Sequence, residues 1–437
     1  MDLGFETVGN ATVVAYDGGP VLVTDPWLDG PAYFGSWTLS HAIPAAQLDA
    51  ILRTRWVWLS HGHPDHLSPP SLERLRGKRV LLPDHHGGRI ARELAAQGFD
   101  VEVLRDGAWK QLSPRLRVQC IADYNQDAVL LLDLGGRLVV DANDASDRGG
   151  GAHLQRLARG YAESYLLCLT GYGDADMIHC FREDGSPIPP VAAGRAPFGA
   201  GIAGLLRHFG LRSFVPFSSM HKYQRTDSAW ANAYTTPLDA HREGFDLEPE
   251  RLLPPFASCD FATGEVRGLD PPETPDTLHA PAEFGDDWDE PLRPGDEAAL
   301  AAYFRAFEHL RTFLGYVNLR VGGRDHRIAI APEHSARGVT FETPRASLMT
   351  AVEHRVFDDV LIANFARTTL HGPWRDPGAD GLYPDFSPFV GKFGDNGGAR
   401  TAAELRAYFA DYRARGFFGF GPDPESRVLE PAVRRYL

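Results

Sequence analysis

Four side chains with metal-binding chemistry lie within a stretch of six residues. They are His61, His63, Asp65 and His66. The stretch follows directly on the apolar run Trp56–Leu59, and a loop that leaves a buried strand can turn such side chains toward one cavity. Gly62 allows a tight backbone turn between the first two histidines. Because neutral imidazoles and a carboxylate suit zinc, iron or manganese, the sequence predicts a metal site here.

The segments around this histidine run alternate short apolar stretches with amphipathic ones, which indicates an α/β fold. Thr12–Ala15 and Val21–Thr24 predict a hairpin around Asp17-Gly18-Gly19. Further strands are predicted at Val80–Leu82, Arg117–Ile121, Ala128–Leu132, Leu138–Asp141, Tyr165–Thr170 and Ser213–Phe217.

A change in composition divides the chain near residue 268. Residues 268–295 are dense in Pro, Asp and Glu, which predicts a linker or an extended wrap. We therefore predict a catalytic domain at 1–267, a linker at 268–295 and a C-terminal α/β domain at 296–437. In the last, Thr401–Glu404 reads as a capping box that opens a helix. The polar clusters Phe357–Asp359 and Lys392–Asn396 favour turns over a substrate groove.

Composition limits the partners and the compartment that we expect. The formal net charge is −14, and a phosphate backbone would repel such a chain, so no nucleic acid is expected. No apolar run approaches the roughly 20 residues of a membrane span, and the first residues lack the pattern of a secretory signal. The four cysteines form no Cys-x-x-Cys or Cys-x-His pattern, which argues against an iron–sulfur cluster. We expect a cytoplasmic protein with no membrane association.

The segment Ser60–His66 reads Ser-His-Gly-His-Pro-Asp-His and resembles the signature of the metallo-β-lactamase superfamily. This resemblance implies an αββα sandwich with a one- or two-metal site at one edge of the sheets, here followed by a C-terminal α/β extension. By the same resemblance, His61 and His63 belong to the first metal, and Asp65 and His66 to the second.

The resemblance also nominates ligands at later strand ends. Asp144, after the run that begins at Val139, is the candidate for the bridging carboxylate, with Asp141 in reserve. His221 is the candidate for the final histidine. The family's histidine before the strand Ala128–Leu132 is missing, and Asp123 stands in that region.

Three alternatives remain open for the missing histidine. Asp123 replaces the imidazole, the metal has one ligand fewer, or Asp123 and Asp127 only cap turns. An oxygen ligand in place of nitrogen shifts the preference from zinc toward iron or manganese.

Two further segments narrow the resemblance, which covers about residues 1–265. Thr24–Leu28 with Gly35–Trp37 is similar to the opening of a branch that includes ascorbate-6-phosphate lactonases and the catalytic part of CMP-N-acetylneuraminate hydroxylase. Leu169–Asp176 and Val215–Tyr223 look more like the hydroxylase side. The hydroxylase family carries a Rieske cluster on Cys-x-His and Cys-x-x-His, and neither motif occurs in this sequence. Oxygen chemistry here would take its electrons from an external donor or from the substrate.

The preferred hypothesis is a di-iron oxygenase or hydroxylase that acts on a small organic substrate. Its two divalent metal ions are preferably iron, with zinc or manganese possible, and Asp65 and Asp144 are the candidate catalytic carboxylates. The alternative is a dinuclear zinc hydrolase of a lactone, ester or phosphoester, whose metal lowers the pKa of bound water toward about 7. A metal-free binding protein is a third hypothesis.

Overall fold

The computed structural model describes residues 1–169, 177–194, 197–374, 381–421 and 424–437. The resemblance segment Leu169–Asp176 lies outside the described residues from Thr170 onward. Among the residues that are described, no helix is both long and apolar enough to cross a bilayer.

The described strands and helices are numbered here in chain order. The strands are β1 (Leu3–Val8), β2 (Thr12–Asp17), β3 (Pro20–Thr24), β4 (Trp37–Leu39), β5 (Trp56–Trp58), β6 (Arg79–Pro83), β7 (Asp100–Leu104), β8 (Lys110–Ser113), β9 (Leu116–Ala122), β10 (Ala128–Leu134), β11 (Arg137–Asn143), β12 (Ser164–Cys168), β13 (Cys180–Phe181), β14 (Pro187–Ile188), β15 (Ser213–Pro216), β16 (His221–Tyr223), β17 (Ala257–Asp260), β18 (Glu265–Gly268), β19 (Tyr316–Val321), β20 (Arg324–Ala329), β21 (Gly338–Glu342) and β22 (Arg367–His371). The α-helices are α1 (Ala45–Arg53), α2 (Pro69–Arg74), α3 (Arg89–Ala96), α4 (Gly151–Ala158), α5 (Phe198–Phe209), α6 (Asp296–Arg305), α7 (Arg345–His354), α8 (Phe357–Ile362), α9 (Ala402–Ala414) and α10 (Pro424–Val433). A π-helix spans Pro388–Asn396.

Two sheets form the N-terminal part of the fold. The first has the strand order β18-β17-β1-β2-β3-β5-β6-β7, and the second has the order β15-β12-β11-β10-β9-β8. Their facing sides share one apolar core, to which Phe5, Trp58, Leu130 and Val215 contribute. The predicted hairpin is confirmed, because β2 and β3 pair in antiparallel fashion across the predicted turn.

Helices cover both outer faces of this pair of sheets. Along β10, Leu130 points into the shared core, whereas Leu131 points outward against α4 and α5, as the two-residue period of a strand requires. On the other side, α1, α2 and α3 place Ile51 and Leu72 against the outer face of the first sheet. This arrangement confirms the predicted αββα sandwich.

The third sheet belongs mainly to the C-terminal part of the chain. Its order is β14-β13-β22-β21-β19-β20, so two short strands from residues 180–188 extend a sheet that is otherwise formed after residue 315. Its core contains Phe304, Leu319, Phe341 and Phe357. The predicted capping box is also confirmed, because Thr401 Oγ1 accepts from the backbone of Glu404 at the start of α9.

Residues 268–295, which we call the belt, lie along the sandwich and contain a short 3-10 helix at Pro281–Phe284. The Ala42 amide donates to Pro272 O, and the Thr274 amide donates to Ser40 O. Further along the belt, Asp286 accepts hydrogen bonds from Arg225 of the sandwich and from Ser347 of α7. The belt therefore joins the N-terminal and C-terminal parts through buried polar contacts.

Candidate metal centre

The histidine run begins where β5 leaves the first sheet, beside the end of the parallel strand β3. Asp25, the residue after β3, is fully buried and accepts hydrogen bonds from both the amide and the hydroxyl of Ser60, each at 2.7 Å. It also accepts from the amide side chain of Asn143 at the end of β11. One carboxylate thus fixes the start of the histidine run relative to two other strand ends.

The first two histidines of the run face each other. His61 Nε2 lies 2.9 Å from His63 Nδ1, and Asp144 offers a carboxylate oxygen within 4.8 Å of both rings. Because Ser60 Oγ donates to Asp25, it accepts from Nδ1 of His61 at 2.9 Å, which leaves the lone pair of the neutral ring on Nε2, the nitrogen that faces His63. Burial holds the pKa of His61 well below its ordinary value, so the ring is neutral, as a metal ligand must be.

The other two members of the run form an ion pair. His66 Nε2 lies 3.1 Å from Asp65 Oδ2 and 3.2 Å from Asp144 Oδ2. Asp65 also accepts from Asn10 Nδ2 at 2.8 Å and from the hydroxyl of Tyr33 at 2.7 Å. Burial alone would raise the pKa of Asp65, but the neighbouring His66 outweighs burial and holds that pKa below its ordinary value. Asp65 is therefore an ionised, oriented carboxylate.

Asp144 follows β11 and touches both halves of the histidine run. Its Oδ2 lies 3.7 Å from His61 Nε2 as well as 3.2 Å from His66 Nε2, and its Oδ1 accepts from Ser218 Oγ. Asp141 lies inside β11, where burial raises its pKa well above the ordinary range. Asp144 therefore contacts both halves of the histidine run, whereas Asp141 is a protonated residue of the strand, and the role of Asp144 as a bridging ligand remains a prediction.

Between β9 and β10, the loop at 123–127 carries the carboxylates that stand where the family has a histidine. Asp123 Oδ1 accepts from the amides of Asn125 and Asp127, and its Oδ2 lies 3.5 Å from Arg148 Nε. Asp127 Oδ1 instead lies 3.9 Å from His61 Nδ1. The carboxylate of this loop that faces the histidine run is therefore Asp127. A ligand role for Asp123 remains a prediction, and its hydrogen bonds within the loop are those of a turn residue.

His221 begins β16 on the small sheet that this strand forms with β4. Its ring is buried and stacks on Trp37, with centroids 3.5 Å apart and planes 5° apart. Tyr223 packs edge-on against the same imidazole. These aromatic contacts fix the plane of the His221 ring, and its role as a metal ligand remains a prediction.

Two carboxylates from the C-terminal part also reach the site. Asp358 and Asp359 lie side by side on α8, and each offers an oxygen within 4.8 Å of a ring nitrogen of His63. Asp358 Oδ2 is 3.3 Å from His63 Nε2. The expectation of a turn at Phe357–Asp359 is wrong, because the apolar residues around the two aspartates form a buried helix against the C-terminal core.

Lys392 brings a positive charge to the same place. It lies in the π-helix, and its Nζ is 3.8 Å from Asp127 Oδ1. Burial lowers the pKa of Lys392, but the carboxylates of Asp127, Asp358 and Asp144 outweigh burial and raise it above the ordinary value. Because residues Lys392–Asn396 belong to the π-helix, the preference for a turn there is also wrong. π-Helices are rare, and they occur frequently at functional sites.

The side chains around the histidine run carry a net negative charge, which suits bound cations. Within the described residues, the carboxylates that converge on the histidine run outnumber the cationic side chains Lys392 and His66. They are Asp65, Asp127, Asp144 and Asp358, whereas burial and the neighbouring Asp358 raise the pKa of Asp359 well above its ordinary value. Buried carboxylates without counter-charge are costly, and divalent ions among imidazole and carboxylate donors would supply that charge. The donor set therefore fits a pair of divalent metal ions.

Sequence reasoning missed the residues that hold the ligands in place. Asp25, Asn10 and Tyr33 come from the β3 end, the β1–β2 turn and the loop before β4. The segment that begins at Thr24 was already singled out by its resemblance, and that was the available signal for Asp25. For Asp358 the signal was a pair of acidic residues in an otherwise apolar stretch.

Comparisons with known proteins find relatives for only part of the chain. No protein-family profile matches the chain. A cytidine monophosphate-N-acetylneuraminic acid hydroxylase from Asterias rubens is 30% identical over 143 residues, which are 31% of this chain and 22% of the relative. The enzyme of that name from Gorilla gorilla gorilla is 29% identical over 139 residues, covering 30% of this chain and 23% of the relative. The chain spans less than a quarter of the length of these relatives.

Among solved structures, CmlA, a diiron beta-hydroxylase from Streptomyces venezuelae, is 17% identical with a TM-score of 0.35. The likeness covers 50% of this chain and 45% of that chain. The sandwich, with the histidine run at its edge, has the metallo-β-lactamase fold, as the sequence predicted. In sequence, about a third of the chain is similar to CMP-N-acetylneuraminate hydroxylases.

Proposed function

We propose that this protein is a metal-dependent oxygenase of the metallo-β-lactamase fold that uses two iron ions to oxidise a small organic substrate. The observation that carries the proposal is the oxygen-rich character of the site. Asp65 and Asp144 contact His66, Asp144 also lies 3.7 Å from His61 Nε2, and Asp127 approaches the Nδ1 side of His61 from the loop where the family has a histidine. Because oxygen ligands favour harder ions, this set suits iron better than zinc. The hydroxylase names of the sequence relatives support the same choice.

We assign the first ion to His61 and His63 and the second to Asp65 and His66, with Asp144 between them. Asp127 and His221 are the candidates for completing the set. When bound, the iron pair supplies the oxygen chemistry, whereas the protein supplies position and a dry pocket. Tyr33 helps to position the ligands, because its hydroxyl donates to Asp65. It also helps to exclude water, because its ring packs on Trp37.

The electrons are proposed to come from a separate reductase or from the substrate itself. This sequence contains neither of the cysteine–histidine motifs that hold a Rieske cluster. We propose a small molecule as the substrate, because the ligand atoms lie among buried side chains rather than on an open face.

A dinuclear zinc hydrolase is the second candidate. The observation in its favour is the pair formed by His61 and His63, whose facing ring nitrogens suit zinc. In that case Asp65 would orient a metal-bound water for attack on a lactone, ester or phosphoester.

The two candidates are separated by loading the metal-free protein with each ion. Anaerobic loading with Fe(II), followed by exposure to air in an oxygen electrode, is expected to give rapid oxygen uptake in proportion to bound iron. The zinc-loaded protein is expected to leave p-nitrophenyl acetate and bis-p-nitrophenyl phosphate intact. His61→Ala, which removes a ligand of the first ion, is the control and should abolish rapid uptake. Hydrolysis by the zinc form together with no oxygen uptake by the iron form would overturn the oxygenase proposal.

A further inference from the structure

The two ring nitrogens of His63 point at different partners. Nδ1 lies 2.9 Å from His61 Nε2, on the side where these two rings share the carboxylate of Asp144. Nε2 lies on the opposite side of the imidazole, 3.3 Å from Asp358 Oδ2. If the first ion sits between the two histidines, His63 binds it through Nδ1, and the proton of the neutral ring is on Nε2.

We propose that Asp358 is a positioning residue, which accepts the Nε2 proton of His63 and thereby presents the Nδ1 lone pair to the first metal. A histidine that binds a metal usually donates its other ring N–H to a carboxylate or carbonyl, and this bond fixes both the tautomer and the ring plane. Asp358 acts through His63 and does not itself bind the ion. The inference rests on the metal assignment of the proposed function.

The structure holds the Asp358 carboxylate in place from two directions. On its own helix, Phe357, Val360 and Leu361 are buried, and the Phe357 amide donates to Asp395 Oδ2. From the π-helix, Gly391 leaves space for the carboxylate, since a Cβ at that residue would lie 2.6 Å from Asp358 Oδ2. A side chain at position 391 would therefore displace the carboxylate from His63.

This arrangement makes the C-terminal part of the chain a component of the metal centre. Asp358 is separated from His63 by 295 positions, and its helix packs on the core of the third sheet through Phe357 and on Trp27 and Tyr33 of the N-terminal part through Val360. The affinity for the first ion should therefore depend on a residue that the sandwich alone does not contain.

Asp358→Asn is the direct test, made on the full-length chain. Competition with a chromogenic chelator, for Zn(II) and anaerobically for Fe(II), is expected to show one of the two metal sites weakened by about 10- to 100-fold. Gly391→Ala should weaken the same site. Asp325→Asn, which also removes a carboxylate from the C-terminal part but at an exposed ion pair with Arg320, should leave both affinities unchanged.

A double-mutant cycle with His63→Ala separates positioning from direct ligation. Once His63 is absent, Asp358→Asn is expected to change the metal affinity no further. The same loss in both backgrounds, a third bound ion that disappears with Asp358, or unchanged affinity in Asp358→Asn would each overturn the inference.

A second measurement uses Zn(II), which is diamagnetic, and is therefore independent of the proposed iron chemistry. In Zn(II)-loaded protein labelled with ¹⁵N-histidine, the ring nitrogens of His63, identified by their loss in His63→Gln, should show a proton on Nε2 and a metal-bound Nδ1. In Asp358→Asn the Nε2 proton should exchange faster with solvent. A proton on Nδ1 with Nε2 bound to zinc would contradict the inference. Failure of oxygen uptake by the iron form, with this His63 signature intact, would instead count against the oxygenase proposal alone.

Discussion

Asp144 is the residue on which the proposed two-metal arrangement depends most directly. Its Oδ2 lies within 3.7 Å of His61 Nε2 and 3.2 Å of His66 Nε2, so one carboxylate reaches both halves of the histidine run. The family resemblance nominated Asp144 for this role by its place directly after a predicted strand, with Asp141 in reserve. The histidine run itself could be predicted from the sequence, because all four side chains come from one loop.

Replacement of Asp144 with Ala should lower the occupancy of both metal positions, because a bridging carboxylate contacts both ions. Metal content per chain, measured by mass spectrometry after gel filtration, is expected to fall from about two ions to well below one. Asp141→Asn is the matched control, because burial keeps Asp141 protonated and an amide preserves its shape. Loss of only one ion, or of none, from Asp144→Ala would move the bridging role to Asp141.

The choice between iron and zinc should depend on the loop at 123–127. Asp127→His would place a nitrogen donor where the family has one, so the ratio of zinc to iron affinity should rise by about tenfold in a competition titration. Asp123→His is the comparison, since Asp123 contacts the loop backbone and Arg148. If Asp123→His alone shifted the ratio, Asp123 would be the ligand, as the sequence first suggested. If neither variant shifted it, the loop would hold no ligand.

The sequence did not reveal which residues approach the site from far along the chain. Asp358 meets His63 across 295 positions, and Lys392 meets Asp127 through a π-helix. No local pattern encodes such contacts, because they depend on how the third sheet packs beside the sandwich. Local patterns were sufficient to predict β2, β3 and the start of α9, because the residues that form the turn or the helix cap are close together in the sequence.

At the level of elements, the belt adds polar contacts between two parts of the chain that also share apolar clusters. Arg225 is fully buried, donates to Asp286 of the belt at 2.7 Å, and also pairs with Asp227. Asp286 in turn accepts from Ser347 at the start of α7. The composition of residues 268–295 predicted an extended segment, but it did not predict that one of its acidic residues would form a buried ion pair.

Arg225→Leu should therefore destabilise the protein strongly, because it leaves the buried Asp286 without its cationic partner. We expect a loss of about 3–5 kcal/mol in the free energy of unfolding, measured by urea denaturation followed by tryptophan fluorescence. Arg74→Leu removes an arginine of an exposed ion pair with Asp29 and should cost at most about 1 kcal/mol. Equal effects of the two substitutions would show that the belt contact contributes no more than a surface pair.

At the scale of the whole molecule, the third sheet brings residues of the C-terminal part to the candidate metal centre. The short strands β13 and β14 come from the N-terminal part but complete a sheet of the C-terminal part. With only two residues each, they carry no alternating pattern that a sequence could reveal. This shared sheet, together with the belt, packs α8 and the π-helix beside the histidine run.

The most direct test of the account is the metal content of wild-type protein purified from cells grown without added metal. Buried carboxylates and imidazoles that converge on one edge of the sandwich are expected to retain about two iron ions per chain, with zinc well below one. Inductively coupled plasma mass spectrometry on protein kept free of chelators gives both numbers at once. Two zinc ions with no iron would contradict the oxygenase assignment, and a chain with no bound metal would contradict the metal centre itself.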